Sequence, residues 1–225
     1  MIKSVVALLA CGFFTVGTAQ VFAQNLSSGN SIIIDRKLKQ LVIKDGDGRI
    51  LLTTTVGIGR GELKKKTSMQ DCITPTGKFR VDVILTDDPK LCAIDSSVKK
   101  TLSRNSLNAR AALSSPDALS TIFKTMNAVD FNRDGKSDYA YGYAFIGLDG
   151  DQTGPKLVSS GLNGGKVRWY SIAMHGSPNE EKSIGHATSE GCIHIKKSVL
   201  KDILARHLVD VGTQVVILDS SDVKL

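Results

Sequence analysis

The sequence predicts one mainly β domain that also carries helices. Three observations predict it. Short runs rich in β-branched residues recur along the chain, with Gly, Asp and Pro between them. Helical periodicity is confined to a few stretches. No internal repeat or low-complexity linker divides the 225 residues, and 41% hydrophobic content argues against disorder.

The elements follow in order. Ser31–Asp35 and Gln40–Lys44 read as antiparallel strands joined by a tight turn. Asp45-Gly46-Asp47-Gly48 then breaks the chain before a third strand, Arg49 to Val56. Gly77 to Leu85 alternates, placing Phe79, Val81 and Val83 on one face. Asp95 to Leu113 and Pro116 to Val129 have helical or mixed character, and Pro116 suits the first turn of a helix. Strands resume at Tyr139 to Leu148 and Lys166 to Met174. Val199, Leu200, Ile203, Leu204 and Leu208 recur at helical spacing, and Thr213 to Leu218 closes the domain as a strand.

The first 23 residues read as an export signal. Lys3 supplies a positive start, an apolar stretch runs from Val5 to Val21, and Val21-Phe22-Ala23 before Gln24 has the pattern of a cleavage site. Leu8-Leu9-Ala10-Cys11 faintly resembles a lipoprotein box, but Phe13 and Phe14 continue the apolar run where a tether is polar. The mature domain is therefore expected at 24–225, exported, with no stable membrane insertion after cleavage.

The net charge of +7 is spread along the chain, and its longest basic run is Lys64-Lys65-Lys66. That suits a solvated surface or a polyanionic matrix. No basic stripe is interleaved with aromatics, so nucleic acid is not expected as a partner. Outside the signal stand Cys72, Cys92 and Cys192. The first two suit either a disulfide or two buried thiols, and Cys192 is the odd one out.

Cys192 also has the most distinctive surroundings. Met174-His175-Gly176-Ser177-Pro178 leads through a polar loop to Thr188-Ser189-Glu190-Gly191-Cys192-Ile193-His194. A strand ending at His175 and a hairpin-like return would set an imidazole against a thiol. Such a histidine accepts the thiol proton or stabilises the thiolate. Gly191 permits close approach of a substrate, and backbone N–H groups near Cys192 suit an oxyanion. Attack on a carbonyl, with transfer to water or an amine, is the chemistry implied. Two other readings stay open. Cys192 suits plain core packing. Glu190, Cys192 and His194, with His175 or His186, suit a zinc site. His207 reads as a surface residue or a helix-end charge partner.

These segments resemble the signature of YkuD-type L,D-transpeptidases. His175-Gly176 followed by Ser189-Glu190-Gly191-Cys192-Ile193-His194 is similar to the family's His-Gly, loop, Ser/Thr-His-Gly-Cys pattern. Thr74-Pro75-Thr76-Gly77-Lys78-Phe79 and Val56-Gly57-Ile58-Gly59 fit its upstream part, so the resemblance covers most of 31–218. It implies a β-sandwich or barrel, Cys192 as nucleophile, His175 as activating histidine, Ser189 orienting the loop and Gly191 beside the nucleophile. Gly176, Glu190 and His194 would face the substrate. The implied partner is the stem peptide of peptidoglycan, acylated onto the cysteine with loss of D-alanine and passed to an amine or water. No cofactor is required for that chemistry.

Two positions depart from the pattern. Glu190 stands where most members have a second histidine, and His194 where they have Asn or Arg. The first suggests a less cationic pocket, with Glu190 orienting a histidine; the second calls the usual grip on a carboxylate into question. A non-catalytic wall-binding module on the same scaffold, or a zinc hydrolase, are the competing functions.

Asp130, Asn132, Asp134 and Asp138, with Gly135, have the spacing of a calcium loop, although Tyr141 occupies the place of the closing Glu. The segment reads as a self-capping turn or as a structural calcium site.

Overall fold

A computed structural model describes residues 29–68, 70–99, 113, 115–150, 157–159, 166–168 and 172–220. The expected export signal, Cys11 and most of the stretch expected to be helical after Asp95 lie outside the described residues.

Thirteen strands are described: β1 (Ser31–Asp35), β2 (Gln40–Lys44), β3 (Ile50–Thr55), β4 (Ile58–Gly59), β5 (Gly77–Thr86), β6 (Ala93–Ile94), β7 (Ala144–Gly150), β8 (Leu157–Ser159), β9 (Lys166–Arg168), β10 (Ala173–His175), β11 (Ala187–Ser189), β12 (Ile193–His194) and β13 (Gln214–Leu218). Nine form one mixed sheet in the order β12-β10-β7-β5-β13-β1-β2-β3, with β6 on β5. Two small sheets, β4–β11 and β8–β9, complete the strands. The fold is mainly β and single-domain, as the sequence and its resemblance predict, and the expected sandwich or barrel takes the form of a curled half-barrel.

Alternation builds the core. Ile32 and Ile34 on β1 and Leu41 and Ile43 on β2 are buried in antiparallel register, Ile32 opposite Ile43 and Ile34 opposite Leu41. Each such side chain stabilises the fold by about 1.5–3 kcal/mol relative to exposure. β5 departs from strict alternation. A bulge between Val81 and Val83 shifts the register against β7. Phe79, Val81 and Ile84 therefore enter the main core, while Val83 and Leu85 join a second cluster with Cys92, Leu119 and Phe123. One face for Phe79, Val81 and Val83 was the simple expectation; the extra bulge residue moves Val83 to the other side.

Helix α1 (Pro116–Asn127) is N-capped by Ser115, whose Oγ accepts the Ala118 amide at 3.2 Å, with Pro116 in its first turn. A one-turn helix, α2 (Glu180–Ser183), lies between β10 and β11. Helix α3 (Lys197–Ala205) buries Leu200, Ile203 and Leu204 against the sheet. It stops where His207 turns left-handed at φ 50°, so that Leu208 N–H donates to Ile203 C=O at 2.9 Å.

The strand expected from Tyr139 begins at Ala144 instead. Tyr139 and Gly142 have φ of 48° and 61°, which fold 139–143 into a turn. The end of α1 holds that turn: Asn127 Nδ2 donates to Gly142 C=O at 2.9 Å, and Asn127 Oδ1 accepts the Tyr141 amide at 3.0 Å. The expected strand from Lys166 to Met174 divides into β9 and β10, and residues 169–171 lie outside the described set. Cys72 and Cys92 are separate buried thiols, which resolves the disulfide alternative.

Candidate active site

The site is built on three neighbouring strands. β7 and β12 flank β10, antiparallel and parallel respectively, and the register sets Phe145, His175 and His194 side by side. Side chains abreast across adjacent strands share a face. Their rings accordingly meet: His175 lies 4.9 Å from His194 and 6.3 Å from Phe145, centroid to centroid. Tyr141, from the turn before β7, adds an edge contact at 5.2 Å to His175.

The approach of His175 and Cys192 is not a hairpin. Their strands run parallel, and the chain between them crosses through α2 and β11. Parallel neighbours need such a crossover, which explains the dozen-residue loop between the two motifs. Ile193 pairs with Met174, so Cys192 falls beside Ala173, and its sulfur is hydrogen-bonded to the Ala173 backbone. Tyr141 contacts His175 edge-on, and the register that sets Cys192 beside Ala173 puts it two strand positions from His175 across the β10–β12 pair.

The His175 tautomer follows from its partner. Nδ1 lies 2.7 Å from Gly176 C=O. A carbonyl only accepts, so the neutral ring carries its proton on Nδ1 and its lone pair on Nε2. Burial pushes His175 down to about 3, with His194 adding to the shift and the Gly176 bond opposing it. Burial likewise lowers His194. Burial pushes the Cys192 thiol up to about 11; Glu190 adds to this, while the Ala173 bond and the Lys66 charge oppose it. The resting pair is thus a neutral thiol and a neutral imidazole. Such a pair acts by passing the thiol proton to the ring as sulfur attacks, rather than by storing an ion pair.

Ser189 braces the loop that carries Cys192. Its Oγ donates to Cys192 C=O at 2.6 Å and accepts the Gly191 amide at 3.1 Å. The Gly191 amide is therefore engaged by Ser189 rather than aimed at an oxyanion. Gly191 has φ of 122°, and a Cβ there would sit 3.1 Å from Ile73 C=O, so glycine is required on both counts. Thr74 locks the same loop from the other side, donating to Gly191 C=O at 2.9 Å and accepting the Gly59 amide at 2.8 Å. Gly57 pairs with His194 through both backbone groups, and a Cβ on it would fall 2.2 Å from Ser183 C=O.

Two expectations change here. Glu190 points away from the histidines: it is exposed and forms an ion pair with Arg60 at 3.2 Å. Its place in a turn beside β11, one residue past buried Ser189, turns it to solvent. His194 is neutral, and its Nδ1 is buried with no hydrogen-bond partner among the described residues, so it lacks the charge a carboxylate grip needs. The zinc set does not assemble either. His186 is exposed, Glu190 is turned outward, and no group of three His, Cys, Asp or Glu among the described residues is placed to hold a metal. In the 130–138 loop the side chains turn to the loop itself: Asp130 accepts the Asp134 and Gly135 amides, Asn132 that of Asp134, and Asp138 those of Phe131 and Asn132. His207 is exposed, 3.6 Å from Asp210.

Sequence reasoning missed Tyr141 and Phe145 around His175, the locking role of Thr74, and Lys66. The first two required the turn and the strand register. Thr74 was noticed only as part of a strand motif.

A sequence model of the YkuD family, described as the L,D-transpeptidase catalytic domain, matches residues 29–217. The chain belongs to this YkuD family. Among solved structures, the chain resembles the L,D-transpeptidase from Xylanimonas cellulosilytica at 16% identity and TM-score 0.39, covering 86% of this chain and 62% of that one. The helical cell shape determining protein Pgp2 from Campylobacter jejuni matches at 16% identity and TM-score 0.47, over 85% of this chain and 48% of that one. The catalytic domain of the Enterococcus faecium L,D-transpeptidase matches at 17% identity and TM-score 0.43, over 84% and 95%. The chain thus spans about half to three-fifths of the length of several solved YkuD proteins, 48% to 62% in the first three. The search of curated proteins found no match. No helix among the described residues is long and apolar enough to cross a membrane.

Proposed function

We propose that this YkuD domain is an exported, cysteine-dependent peptidoglycan L,D-transpeptidase. Cys192 attacks the carbonyl that precedes the terminal D-alanine of a stem tetrapeptide. His175 Nε2 takes the thiol proton as the carbon–sulfur bond forms, then returns it to the departing amine of D-alanine. The thioester is resolved by an acceptor amine, giving a crosslink or a lipoprotein attachment, or by water, giving a trimmed tripeptide. The observation that supports this reading is the tautomer of His175, which leaves the Nε2 lone pair free on the strand that pairs with the Cys192 segment. A family match over 29–217 supplies the substrate class.

Room for a peptide lies beside Gly176, the residue that follows the base, although His175 and Cys192 do not line it. A cavity of about 680 Å³ borders Gly176, lined also by Lys124, Lys197, Asp87, Glu180 and Tyr143. Its mixed charges suit a stem peptide that carries both carboxylate and ammonium groups. The reading gives calcium no part in the reaction, and it places the enzyme in the periplasm or cell envelope once its signal is removed.

The test uses purified tetrapeptide muropeptides with the mature chain and with Cys192→Ala, products being read by mass spectrometry. Cys192-dependent loss of alanine supports the assignment, with a dimer marking transfer and a tripeptide marking hydrolysis. Untouched muropeptides, with sacculus binding that survives thiol alkylation, would favour a wall-binding module instead.

A further inference from the structure

A lysine far from the motif in sequence is tied to it through Asp71 and Thr74. The Lys66 side chain is 3% exposed, and its Nζ is 2.7 Å from Asp71 Oδ1, itself a sheltered carboxylate. Asp71 then ties the loop together. Its Oδ2 accepts the amides of Thr67 and Ser68 at 2.6 and 2.9 Å, and its Oδ1 that of Ile73 at 3.1 Å. Ile73 and Thr74 carry this framework to the nucleophile. The Ile73 carbonyl presses on Gly191, and the Thr74 hydroxyl donates to Gly191 C=O at 2.9 Å. Lys66 is therefore linked by short contacts to Gly191, the residue next to Cys192.

Burying an ammonium is costly unless anions compensate it. Asp71 is one such anion, held below the usual carboxylate range despite its burial by the bond from Lys66 and the amides of Ser68, Thr67 and Ile73. Another anion that can form near this loop is the Cys192 thiolate. Lys66 favours the thiolate from this loop, and Glu190 opposes it from the nucleophile's own loop. Glu190 is in turn partly offset by Arg60. From β10, β12 and the turn before β7, His175, His194 and Tyr141 face the site as neutral groups.

We propose that Lys66 is the electrostatic partner of the nucleophile: its buried ammonium, fixed by Asp71 in the loop locked onto Gly191, stabilises the Cys192 thiolate where the family motif would place a second histidine at Glu190. This rests on Cys192 being the nucleophile, but not on turnover. The arrangement explains how the site tolerates Glu190. The favourable charge comes from a different part of the chain, through space.

Alkylation by iodoacetamide tests this without a peptidoglycan substrate. The full mature chain is treated at pH 8.5, and modification of Cys192 is followed by peptide mass spectrometry in the wild type and in Lys66→Met, Lys66→Gln and Lys66→Arg. Loss of the charge raises the thiol pKa and slows Cys192 alkylation about 3- to 10-fold, after allowing for the greater nucleophilicity of a more basic thiolate. The Arg variant keeps the cation and stays within about 2-fold of wild type on the same grounds. Gln retains a hydrogen bond to Asp71, so it serves if Met prevents folding. A purely structural Lys66 gives the opposite sign, because a loosened loop exposes the thiol and alkylation accelerates. Unchanged or faster alkylation in the neutral variants would overturn the proposal, even if the muropeptide assay shows full activity. Slower alkylation would sustain it even if that assay fails.

Discussion

Thr74→Val isolates what holds the Cys192 loop in place. Thr74 is fully buried, and its hydroxyl accepts the Gly59 amide and donates to Gly191 C=O. Valine has nearly the same shape but neither capacity, so the substitution leaves a buried donor and a buried acceptor unpaired. Each costs about 1–3 kcal/mol, or roughly 2–6 kcal/mol together. For a domain of this size that is a fall of roughly 5–15 °C in Tm. Urea unfolding gives the free energy, and amide exchange locates the damage: Gly59 N–H should exchange faster, while amides within β1 and β2 are unaffected below the global limit. Thr74→Ser keeps both hydrogen bonds and loses one methyl, so it should cost about 1 kcal/mol or less. The reasoning fails if Val matches the wild type within 0.5 kcal/mol, or if Ser is as damaging as Val.

Three further outcomes follow from the titrating groups. Unfolded His175 binds a proton near 6.5 but folded His175 only near 3, so the unfolded state holds more protons between those values. Stability is full at neutrality and declines as pH falls through 6.5 toward 3; the loss at pH 5 is about 2 kcal/mol, and His175→Gln flattens that slope in pH-dependent urea melts. Asp82 has the opposite sign. Burial, with Asp149 and Asp95 nearby, raises its pKa to about 6, and Oδ1 is buried with no hydrogen-bond partner among the described residues. Its contribution is therefore best below 3.8 and is lost as pH rises through 6, so Asp82→Asn should raise Tm at pH 7.5 and change it little at pH 4. Finally, because Cys192 rests as a thiol with a pKa of about 11, its alkylation rate should climb steadily from pH 7 to pH 10. A plateau by pH 7 would show a stored ion pair.

Much of the scaffold was legible because one-sided burial imposes period 2 on β1, β2 and β13, and amphipathic spacing marks α3. The breaks in that legibility have local causes. The bulge in β5 reverses which face Val83 serves, and nothing in the alternation of Phe79, Val81 and Val83 announces it. The turn at 139–143 depends on left-handed Tyr139, a conformation that a bulky residue rarely adopts and that propensity does not suggest. At the site, the motif points to Cys192, His175, Ser189 and Gly191, because their chemistry is local in sequence. The direction of Glu190 was not readable, since Arg60 lies 130 positions away. Lys66 and Thr74 escaped for the same reason: their work is done across the fold, on a loop more than a hundred residues downstream.

The most direct test of the account is the intact mass of the protein after brief incubation with a tetrapeptide muropeptide and acid quenching. The account predicts an adduct on Cys192 equal to the substrate less its terminal alanine, present in the wild type and missing in Cys192→Ala. Alanine released equally by both proteins, with no adduct on Cys192, would contradict it.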